Sequence, residues 1–207
     1  MPTLETVKKF AERLTGWAKP SRSEVAGLVS ERKPGTLRFR DDGIIPNHPL
    51  WPLILYRSAV RLPAEFDAAA IMEALFESNG WDNAWRDGIY DYVHYHSQTH
   101  EVLGIARGTA KVQFGGNGGR AVTIKAGDVA ILPAGTGHQK ISSSEDFLVV
   151  GAYPPLGTYD LCTSSEDHGR AVKTVSKVAK PRKDPVFGGR GPLVTLWKSA
   201  RVKPRAP

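Results

Sequence analysis

The first forty residues carry apolar positions at helical spacing. These positions lie three or four residues apart and would share one face of an amphipathic helix: Val7, Phe10, Ala11, Leu14 and Trp17. Gly16 and Pro20 help to end that helix, and Ser23 is a candidate N-cap for a second short helix through Leu28. Such a stripe usually packs on its own domain or on a dimer partner. Residues 1–36 are therefore predicted to be an amphipathic helical extension.

The pattern changes between about residues 37 and 159, where short apolar runs are separated by Gly, Pro, Asn and Ser. The runs have the length and composition of β-strands: LILYRSAV, GIYDYVHYH, EVLGIARG, TAKVQFGG, AVTIKAG, DVAILPAG and DFLVVGAY. One helix is predicted among them, at about residues 63–77. Regular short strands of this kind indicate an all-β sandwich or barrel.

The chain becomes basic and loop-like in pattern from about residue 164. Within this region GPLVTLW, residues 191–197, could add an edge strand or dock on the barrel. A length of 207 residues favours a single domain with terminal extensions over two full domains. We predict an extension at 1–36, a barrel at 37–163 and a basic C-terminal segment at 164–207.

Charge is distributed unevenly along the chain. The net charge is +7, but residues 1–40 carry 9 Lys and Arg against 4 Asp and Glu (+5), residues 41–170 carry 9 against 16 (−7), and residues 171–207 carry 10 against 1 (+9). Basic tails can hold nucleic acid through its phosphates. No aromatic-interleaved basic motif or nucleic-acid module is evident, however, so docking of the tails on the acidic centre is the favoured interpretation.

Two sequence features bear on location. No run of about 18 apolar residues occurs, and the opening MPTLETVKKFAERL lacks the apolar region of a signal peptide. A cytoplasmic location is the resulting expectation. The single cysteine, Cys162, cannot form an internal disulfide and is interpreted as an ordinary thiol.

The stretch HYHSQTHEVLG, residues 94–104, holds three of the six histidines and a glutamate. Side chains alternate along a strand, so His94 and His96 point to the same side. A turn after His96 would start a second antiparallel strand on which Glu101 faces the same interior. If that turn were one residue shorter, His100 would take the place of Glu101; we interpret His100 as a supporting or surface residue.

A fourth candidate ligand lies in the segment GDVAILPAGTGHQKIS. Pro133 and Gly135 predict a turn that delivers His138 onto the start of another strand. Imidazole nitrogens and a carboxylate oxygen suit Fe, Mn, Ni, Co or Zn, and such a set leaves coordination positions open for substrate or oxygen. The residues therefore predict one divalent transition metal per chain.

These spacings resemble the two motifs of the cupin superfamily. The first is matched by Gly88, five residues, His94-x-His96, four residues, Glu101, six residues and Gly108, and the second by Gly127, five residues, Pro133-x-Gly135, two residues and His138. Ser142 stands where the family often has asparagine. PNHPLWPLILYR, NGWDNAWRDGIYDYVHYHSQTHEVLGIARG and LPAGTGHQ look like the YjlB-like subgroup of cupins, and the resemblance covers roughly residues 37–160.

The resemblance implies a cupin barrel, the RmlC-like jelly roll or double-stranded β-helix, with a metal held inside by His94, His96, Glu101 and His138. It implies an enzyme acting on a small polar or anionic metabolite, with dioxygenase chemistry expected first and isomerase or lyase chemistry next. The alternative is a non-catalytic module in which the metal anchors a bound small molecule. A homodimer is expected, because the family often pairs barrels and the apolar flanking segments need cover.

Strand parity nominates further residues near the ion. Tyr90 and Tyr92 should face inward with His94, where they could orient a substrate or donate a proton, or simply fill the barrel. Lys140 shares parity with His138 and would favour a carboxylate or phosphate ligand, unless it faces solvent. Tyr153 is a weaker candidate of the same kind. A turn-rich segment is interpreted as lid or dimer packing through Trp81, Trp85 and Arg86.

Overall fold

The computed structural model describes residues 4–198 of the chain, which form nine strands and five α-helices within that range. The strands are β1 (Gly35–Leu37), β2 (Leu53–Tyr56), β3 (Asp82–Asp87), β4 (Glu101–Arg107), β5 (Thr109–Phe114), β6 (Arg120–Lys125), β7 (Val129–Leu132), β8 (His138–Ser143) and β9 (Leu148–Tyr153). The helices are α1 (Leu4–Leu14), α2 (Arg22–Leu28), α3 (Ala68–Ser78), α4 (Ser165–Ala171) and α5 (Pro192–Leu196).

The strands pair into two antiparallel sheets. Six form one sheet in the order β1-β2-β7-β4-β9-β3, and three form the other in the order β6-β5-β8. The space between the sheets is filled by one buried apolar cluster: Leu53, Leu55, Ile89, Leu103, Ile105, Ala110, Val112, Phe114, Ile124, Ala130, Leu132 and Val149. The predicted all-β fold is confirmed, and its architecture is a two-sheet jelly-roll barrel.

The four inner strands of the six-stranded sheet, β2, β7, β4 and β9, are buried on both faces. In β2, Leu53 and Leu55 point into the barrel, while Ile54 and Tyr56 belong to a second apolar cluster on the outer face. Helix α3 covers that face so closely that a Cβ atom on Gly104 would lie 2.7 Å from Cζ of Phe76. This double burial explains why LILY is apolar at every position rather than alternating.

Asp67 determines where α3 begins. Its side chain accepts a hydrogen bond from the backbone N–H of Ala69 at 3.0 Å, so the helix starts at Ala68, five residues after the predicted start at Pro63. An N-cap of this kind satisfies a backbone donor that the first turn leaves free. The prediction of a helix here is confirmed, but its predicted first residue is wrong.

Helix α1 is present as predicted, but its apolar stripe has no cover within the described part of the chain. Phe10, Leu14 and Trp17 are 64%, 73% and 79% exposed, and the side chain of Val7 lies outside the described residues. Packing of this stripe on a dimer partner stays a prediction.

The prediction that Ser23 caps the second helix is wrong. The N-cap of α2 is Ser21, whose hydroxyl accepts from the N–H of Glu24 while the Glu24 carboxylate accepts from the Ser21 N–H at 2.8 Å. This reciprocal pair is a capping box, which satisfies two otherwise unpaired backbone donors at once.

The region after residue 164 is more ordered than its sequence pattern indicated. It contains α4, a short 3₁₀ helix at Val175–Lys177 and α5, so GPLVTLW forms a helix and the edge-strand alternative is wrong. Leu193 and Trp197 are fully buried against the outer face of the six-stranded sheet, and Trp197 Nε1 donates to the carbonyl of Pro52 at 2.9 Å. Residues 199–207 lie outside the described range.

Asp184 fastens this region to the barrel. The carboxylate is fully buried and accepts hydrogen bonds from the Tyr56 hydroxyl and from the backbone N–H groups of Val186, Phe187 and Leu193. A buried carboxylate is tolerated only where such donors replace its hydration. Within residues 4–198, no helix has the length and apolar content needed to cross a bilayer.

Replacing Asp184 tests this fastening. Asp184→Ala should lower the free energy of unfolding by about 3 kcal/mol or more, because three backbone donors and the Tyr56 hydroxyl lose their acceptor in a dry site. Urea unfolding followed by tryptophan fluorescence measures the loss. Asp82→Ala, which removes an exposed carboxylate with no side-chain hydrogen bond in the described structure, is the control, and an equal loss in both variants would contradict the assignment.

Candidate metal centre

The first two candidate ligands lie on an irregular segment rather than on the predicted strand. Residues 88–96 make isolated bridges only, at His94 with His138 and at Tyr95 with Cys162. The chain bends at Asp91 and Tyr92, so the run GIYDYVHYH has no continuous pairing. The bridge itself is close: His94 N–H donates to the His138 carbonyl at 3.1 Å and His138 N–H donates back at 2.9 Å. It sets these two imidazoles side by side, with ring centroids 4.0 Å apart.

Three imidazoles share one point inside the barrel. One ring nitrogen each from His94, His96 and His138 lies within 4.8 Å of the other two, and all three side chains are buried. Two ligands each about 2.1 Å from one ion lie about 3 to 4 Å apart, so these nitrogens are close enough to share an ion after small adjustments. The cluster can hold a metal.

The far side of each imidazole is tied to a backbone carbonyl. Nδ1 of His94 is 3.2 Å from the Tyr92 carbonyl, Nδ1 of His138 is 3.1 Å from the Thr136 carbonyl, and Nδ1 of His96 bonds to the Asp160 carbonyl. A carbonyl only accepts, so each Nδ1 carries the proton. In the neutral rings, Nε2 therefore presents a lone pair, the form in which histidine binds metals.

Asp160 also holds the turn between His96 and the next ligand. Its carboxylate accepts from the N–H of Ser97 at 2.9 Å, from the hydroxyl of Ser97 at 2.6 Å and from the N–H of Gln98 at 3.1 Å. The same residue thus fixes the orientation of the His96 ring and the path of the chain that leads to Glu101. Nothing in the sequence marked Asp160, because it lies 63 residues beyond Ser97.

Glu101 lies beside the three-histidine cluster, at the first position of β4. Its side chain is buried, with Oε1 3.4 Å from His96 Nε2 and Oε2 3.3 Å from His138 Nε2. Oε2 has no hydrogen-bond partner among the residues that the structure describes. Carboxylate oxygens and imidazole lone pairs repel each other unless a proton or a cation lies between them. The donor set therefore fits a divalent transition metal.

Electrostatics around Glu101 agree with this fit. Burial opposes ionisation of the carboxyl, but the imidazoles of His96 and His138 outweigh it and hold the pKa of Glu101 below its ordinary range. Burial likewise lowers the pKa of His96, yet the Glu101 carboxylate reverses the shift and raises it. Burial and the neighbouring His138 lower the pKa of His94 to about 3. Protons and a metal thus compete for the same nitrogens.

The cluster forms the floor of a cavity of about 300 Å³. Its other walls are Trp85, Arg86, Asp87, Gly88, Ile89, Tyr90, Leu103, Tyr153 and Tyr159. Trp85 and Arg86 were interpreted as packing in a turn-rich segment, but they lie on the edge strand β3. There the Trp85 side chain lines the cavity, and the Arg86 side chain bonds to Asp67 and Glu73 at helix α3. Trp81, from the same segment, is buried in the outer apolar cluster.

The structure separates the three residues nominated as substrate contacts. Tyr90 lines the mouth of the cavity and is 46% exposed, with its ring centroid 5.0 Å from that of His94. Tyr92 stacks on Tyr90 at 4.8 Å but does not line the cavity, and the prediction that it faces the interior is wrong because strand parity does not hold on a bent segment. Lys140 is half-buried and is not itself a lining residue, but its Nζ would lie 3.9 Å from a Cβ atom on Gly88, which is part of the wall. Tyr153, the weaker candidate, is part of the wall.

Comparison with known proteins identifies the family. Residues 88–154 match the cupin family model. The chain is 44% identical over 168 residues to the uncharacterized protein YjlB of Bacillus subtilis (strain 168), which covers 81% of this chain and 98% of that protein. The chain belongs to the cupin family. Within it, the similarity to YjlB confirms the subgroup that the sequence motifs indicated.

Solved structures of low sequence identity also match this cupin. One is an uncharacterized conserved protein with a double-stranded β-helix domain from Klebsiella pneumoniae, with 15% identity, a TM-score of 0.33, and coverage of 72% of this chain and 98% of that one. Another is WlaRA, a TDP-fucose-3,4-ketoisomerase from Campylobacter jejuni, with 11% identity, a TM-score of 0.36, and coverage of 70% and 96%.

His100 lies buried next to Glu101 and contacts the backbone and Trp197 rather than the three-histidine cluster. It is fully buried; its Nε2 bonds to the Ala179 carbonyl at 3.1 Å and its Nδ1 accepts from the Ala134 N–H at 2.9 Å. Its ring packs against Trp197 at 4.9 Å. Both nitrogens are occupied away from the metal cluster, so the surface alternative is wrong and His100 does not replace Glu101.

His48 belongs to the same buried layer. Its ring stacks on Trp51 at 4.4 Å, and its Nδ1 accepts from the N–H groups of Leu50 at 3.2 Å and Trp51 at 2.9 Å. Burial lowers its pKa from 6.5 to about 4. Protonation of Nδ1 would also remove the acceptor of two backbone donors.

A pH dependence of stability follows from His48. The unfolded chain binds this proton near pH 6.5 and the folded chain only near pH 4, so below about pH 6.5 the unfolded state holds more protons and stability falls as pH decreases. The share of His48 is on the order of 3 kcal/mol across that window. His48→Asn keeps an acceptor for both backbone donors but does not titrate, so its urea midpoints at pH 7, 6, 5 and 4 should decline less steeply than those of the wild type. Parallel decline in the two proteins would contradict the assignment.

Proposed function

We propose that this cupin is a metal-dependent enzyme that acts on a small polar molecule. The supporting observation is a cluster of three imidazoles with carbonyl-bound Nδ1 atoms at one cavity, with the buried Glu101 carboxylate beside His96 and His138. In the proposal His94, His96, His138 and Glu101 hold one divalent transition metal. Dioxygenase-type chemistry is the first candidate, and isomerase or lyase chemistry is the second.

The side chains of the cavity have separate tasks in this proposal. The three backbone carbonyls keep the imidazoles in the tautomer that binds a metal, so little rearrangement accompanies binding. A bound ion supplies Lewis-acid polarisation and, if it is iron, one-electron redox chemistry. Trp85, Tyr153 and Leu103 exclude water from the space above the ligands, and they leave room for a substrate of limited size.

Tyr153 is the protein group best placed to meet that substrate with a proton. Its hydroxyl accepts a hydrogen bond from Trp85 Nε1 at 3.0 Å, which leaves its own proton for another acceptor. Burial and the negative charge of Glu101 raise the pKa of Tyr153, so the phenol stays protonated. It would act as a hydrogen-bond donor toward an oxygen atom in the cavity. The homodimer and the cytoplasmic location stay predictions beside this proposal.

The ligand assignment is tested with His96→Ala. Loss of one imidazole should lower metal affinity by about 100-fold or more, because even the outer contacts of metal ligands are worth 10- to 100-fold. Elemental mass spectrometry after extensive dialysis measures retention, and circular dichroism checks that the barrel is folded. Glu101→Gln gives a second variant of nearly equal volume.

His168→Ala is the matched control for these variants. His168 bonds to Asp41 at 2.7 Å, at a position outside the cavity. The control should hold metal as the wild type does. Stoichiometric metal in folded His96→Ala would contradict the ligand assignment, and so would loss of metal in His168→Ala.

The reaction class requires a separate measurement. The protein is loaded anaerobically with Fe(II), mixed with a panel of small hydroxy acids, keto acids, diols and phenols, and monitored with an oxygen electrode. Oxygen uptake that depends on one panel member and is absent from His96→Ala supports the dioxygenase proposal. Conversion of a panel member without oxygen uptake moves the proposal to isomerase or lyase chemistry, and binding without conversion supports the non-catalytic module.

A further inference from the structure

The space above the metal cluster is small and walled by aromatic rings. Its volume of about 300 Å³ lies at the lower end of the range of about 300–1,000 Å³ for small-molecule sites. Four of its lining side chains are aromatic: Trp85, Tyr90, Tyr153 and Tyr159. The aliphatic residues Ile89 and Leu103 are the other apolar lining side chains. A cavity of this size and composition suits one ring of a ligand.

The aromatic rings border the metal cluster on two sides. Tyr153 and Tyr159 lie 5.8 Å and 5.0 Å from the ring centroid of His96, and 5.5 Å from each other. The ring centroid of Tyr90 lies 5.0 Å from that of His94. A ligand bound at the cluster therefore has aromatic side chains beside it.

Two contacts fix the position of Trp85. Its indole packs directly on Gly151, so closely that a Cβ atom on residue 151 would overlap the indole ring, and its Nε1 donates to the Tyr153 hydroxyl at 3.0 Å. Gly151 on β9 is paired with Trp85 on β3 in the sheet register. The indole is therefore already ordered before a ligand binds, which reduces the side-chain entropy lost when a ligand ring packs on it.

Among the residues that line the cavity, no free cation is available to a second anionic group on the ligand. Arg86 is the cationic residue of the lining, but its guanidinium points to helix α3 and donates to carboxylates there: Nε and Nη2 to Glu73 at 2.6 and 2.7 Å, and Nη1 to Asp67 at 2.6 Å. These hydrogen bonds, Glu73 first, raise the pKa of Arg86 further and keep the guanidinium paired. The other ionisable lining residues besides the histidines and tyrosines are the acids Asp87 and Glu101.

We infer that the substrate consists of an oxygen-bearing, metal-binding group joined to one uncharged ring that packs between Trp85, Tyr153 and Tyr159. The inference rests on the proposed function, since the metal anchors the oxygen-bearing group. The proposed function does not specify the part of the substrate outside its metal-binding group, and we infer that this part is a single uncharged ring. The ring can be aromatic or saturated, as in a sugar, because both kinds of ring stack on aromatic side chains.

Four hydroxy acids with the same anchoring group test the inference on zinc-loaded protein by calorimetry. Glycolate carries the anchor alone, mandelate adds an aromatic ring, hexahydromandelate adds a saturated ring, and 4-carboxymandelate adds a charged ring. We expect at least one of the two uncharged rings to tighten binding about tenfold over glycolate, and the charged ring to lose that gain. If mandelate binds more tightly than hexahydromandelate, the substrate ring is aromatic; if hexahydromandelate binds more tightly, the ring is saturated.

Variants locate the effect in the cavity. Trp85→Leu and Tyr159→Leu should each remove most of the gain from the ring, measured as the ratio of ring-ligand affinity to glycolate affinity in the same variant. Zinc content should stay unchanged, because neither residue is among the proposed ligands. Trp17→Leu removes an aromatic side chain that is 79% exposed on the N-terminal segment, and it should keep the full gain.

Two failures are distinguishable. Equal affinity for glycolate and both uncharged rings, or equal or tighter binding of 4-carboxymandelate, would overturn the inference and leave the proposed metal site intact. Loss of zinc from the wild-type protein under the same conditions would overturn the proposed function, and the inference would fall with it. A ring gain that survives in both Trp85→Leu and Tyr159→Leu would overturn the placement of the ring.

Discussion

The contact on which this structure depends most is a buried carboxylate facing imidazole nitrogens. Glu101 lies 3.3–3.4 Å from Nε2 of His138 and His96, and backbone carbonyls hold the Nδ1 protons of all three histidines on the opposite side. Oxygen and nitrogen lone pairs brought together in a dry interior require a positive charge between them. The barrel thus supplies a rigid, electron-rich site, and the rest of the fold keeps it rigid.

Much of that rigidity comes from outside the two histidine motifs. His100 adjoins Glu101 and is clamped by the Ala134 N–H, the Ala179 carbonyl and the ring of Trp197. Trp197 in turn stacks on Trp51 at 5.2 Å, and Asp184 fastens the C-terminal region to the barrel. The C-terminal region is therefore a structural brace behind the metal cluster as well as a carrier of positive charge.

The sequence predicted the grouping of His94, His96 and His138 and the barrel, because both depend on local patterns. The spacing of His94, His96 and Glu101 reflects one turn between two chain segments, and short apolar runs mark most of the strands. It did not predict the place of Trp85, which depends on Gly151 across the sheet, a contact that no local pattern encodes. The prediction that Tyr92 faces the interior was also wrong. It assumed that side chains alternate as they do along a strand, and this alternation is absent where the chain bends. GPLVTLW is a short, mostly apolar run, and such runs do not distinguish a buried helix from a strand.

The most direct test of the proposed metal site is a crystal structure of the protein loaded with Fe(II) or Zn(II), with anomalous data collected at the absorption edge of the metal. We expect one strong anomalous peak per chain, bound by Nε2 of His94, His96 and His138 and by a carboxylate oxygen of Glu101. A peak elsewhere, or a peak bound through Nδ1 of these histidines, would contradict the proposed site.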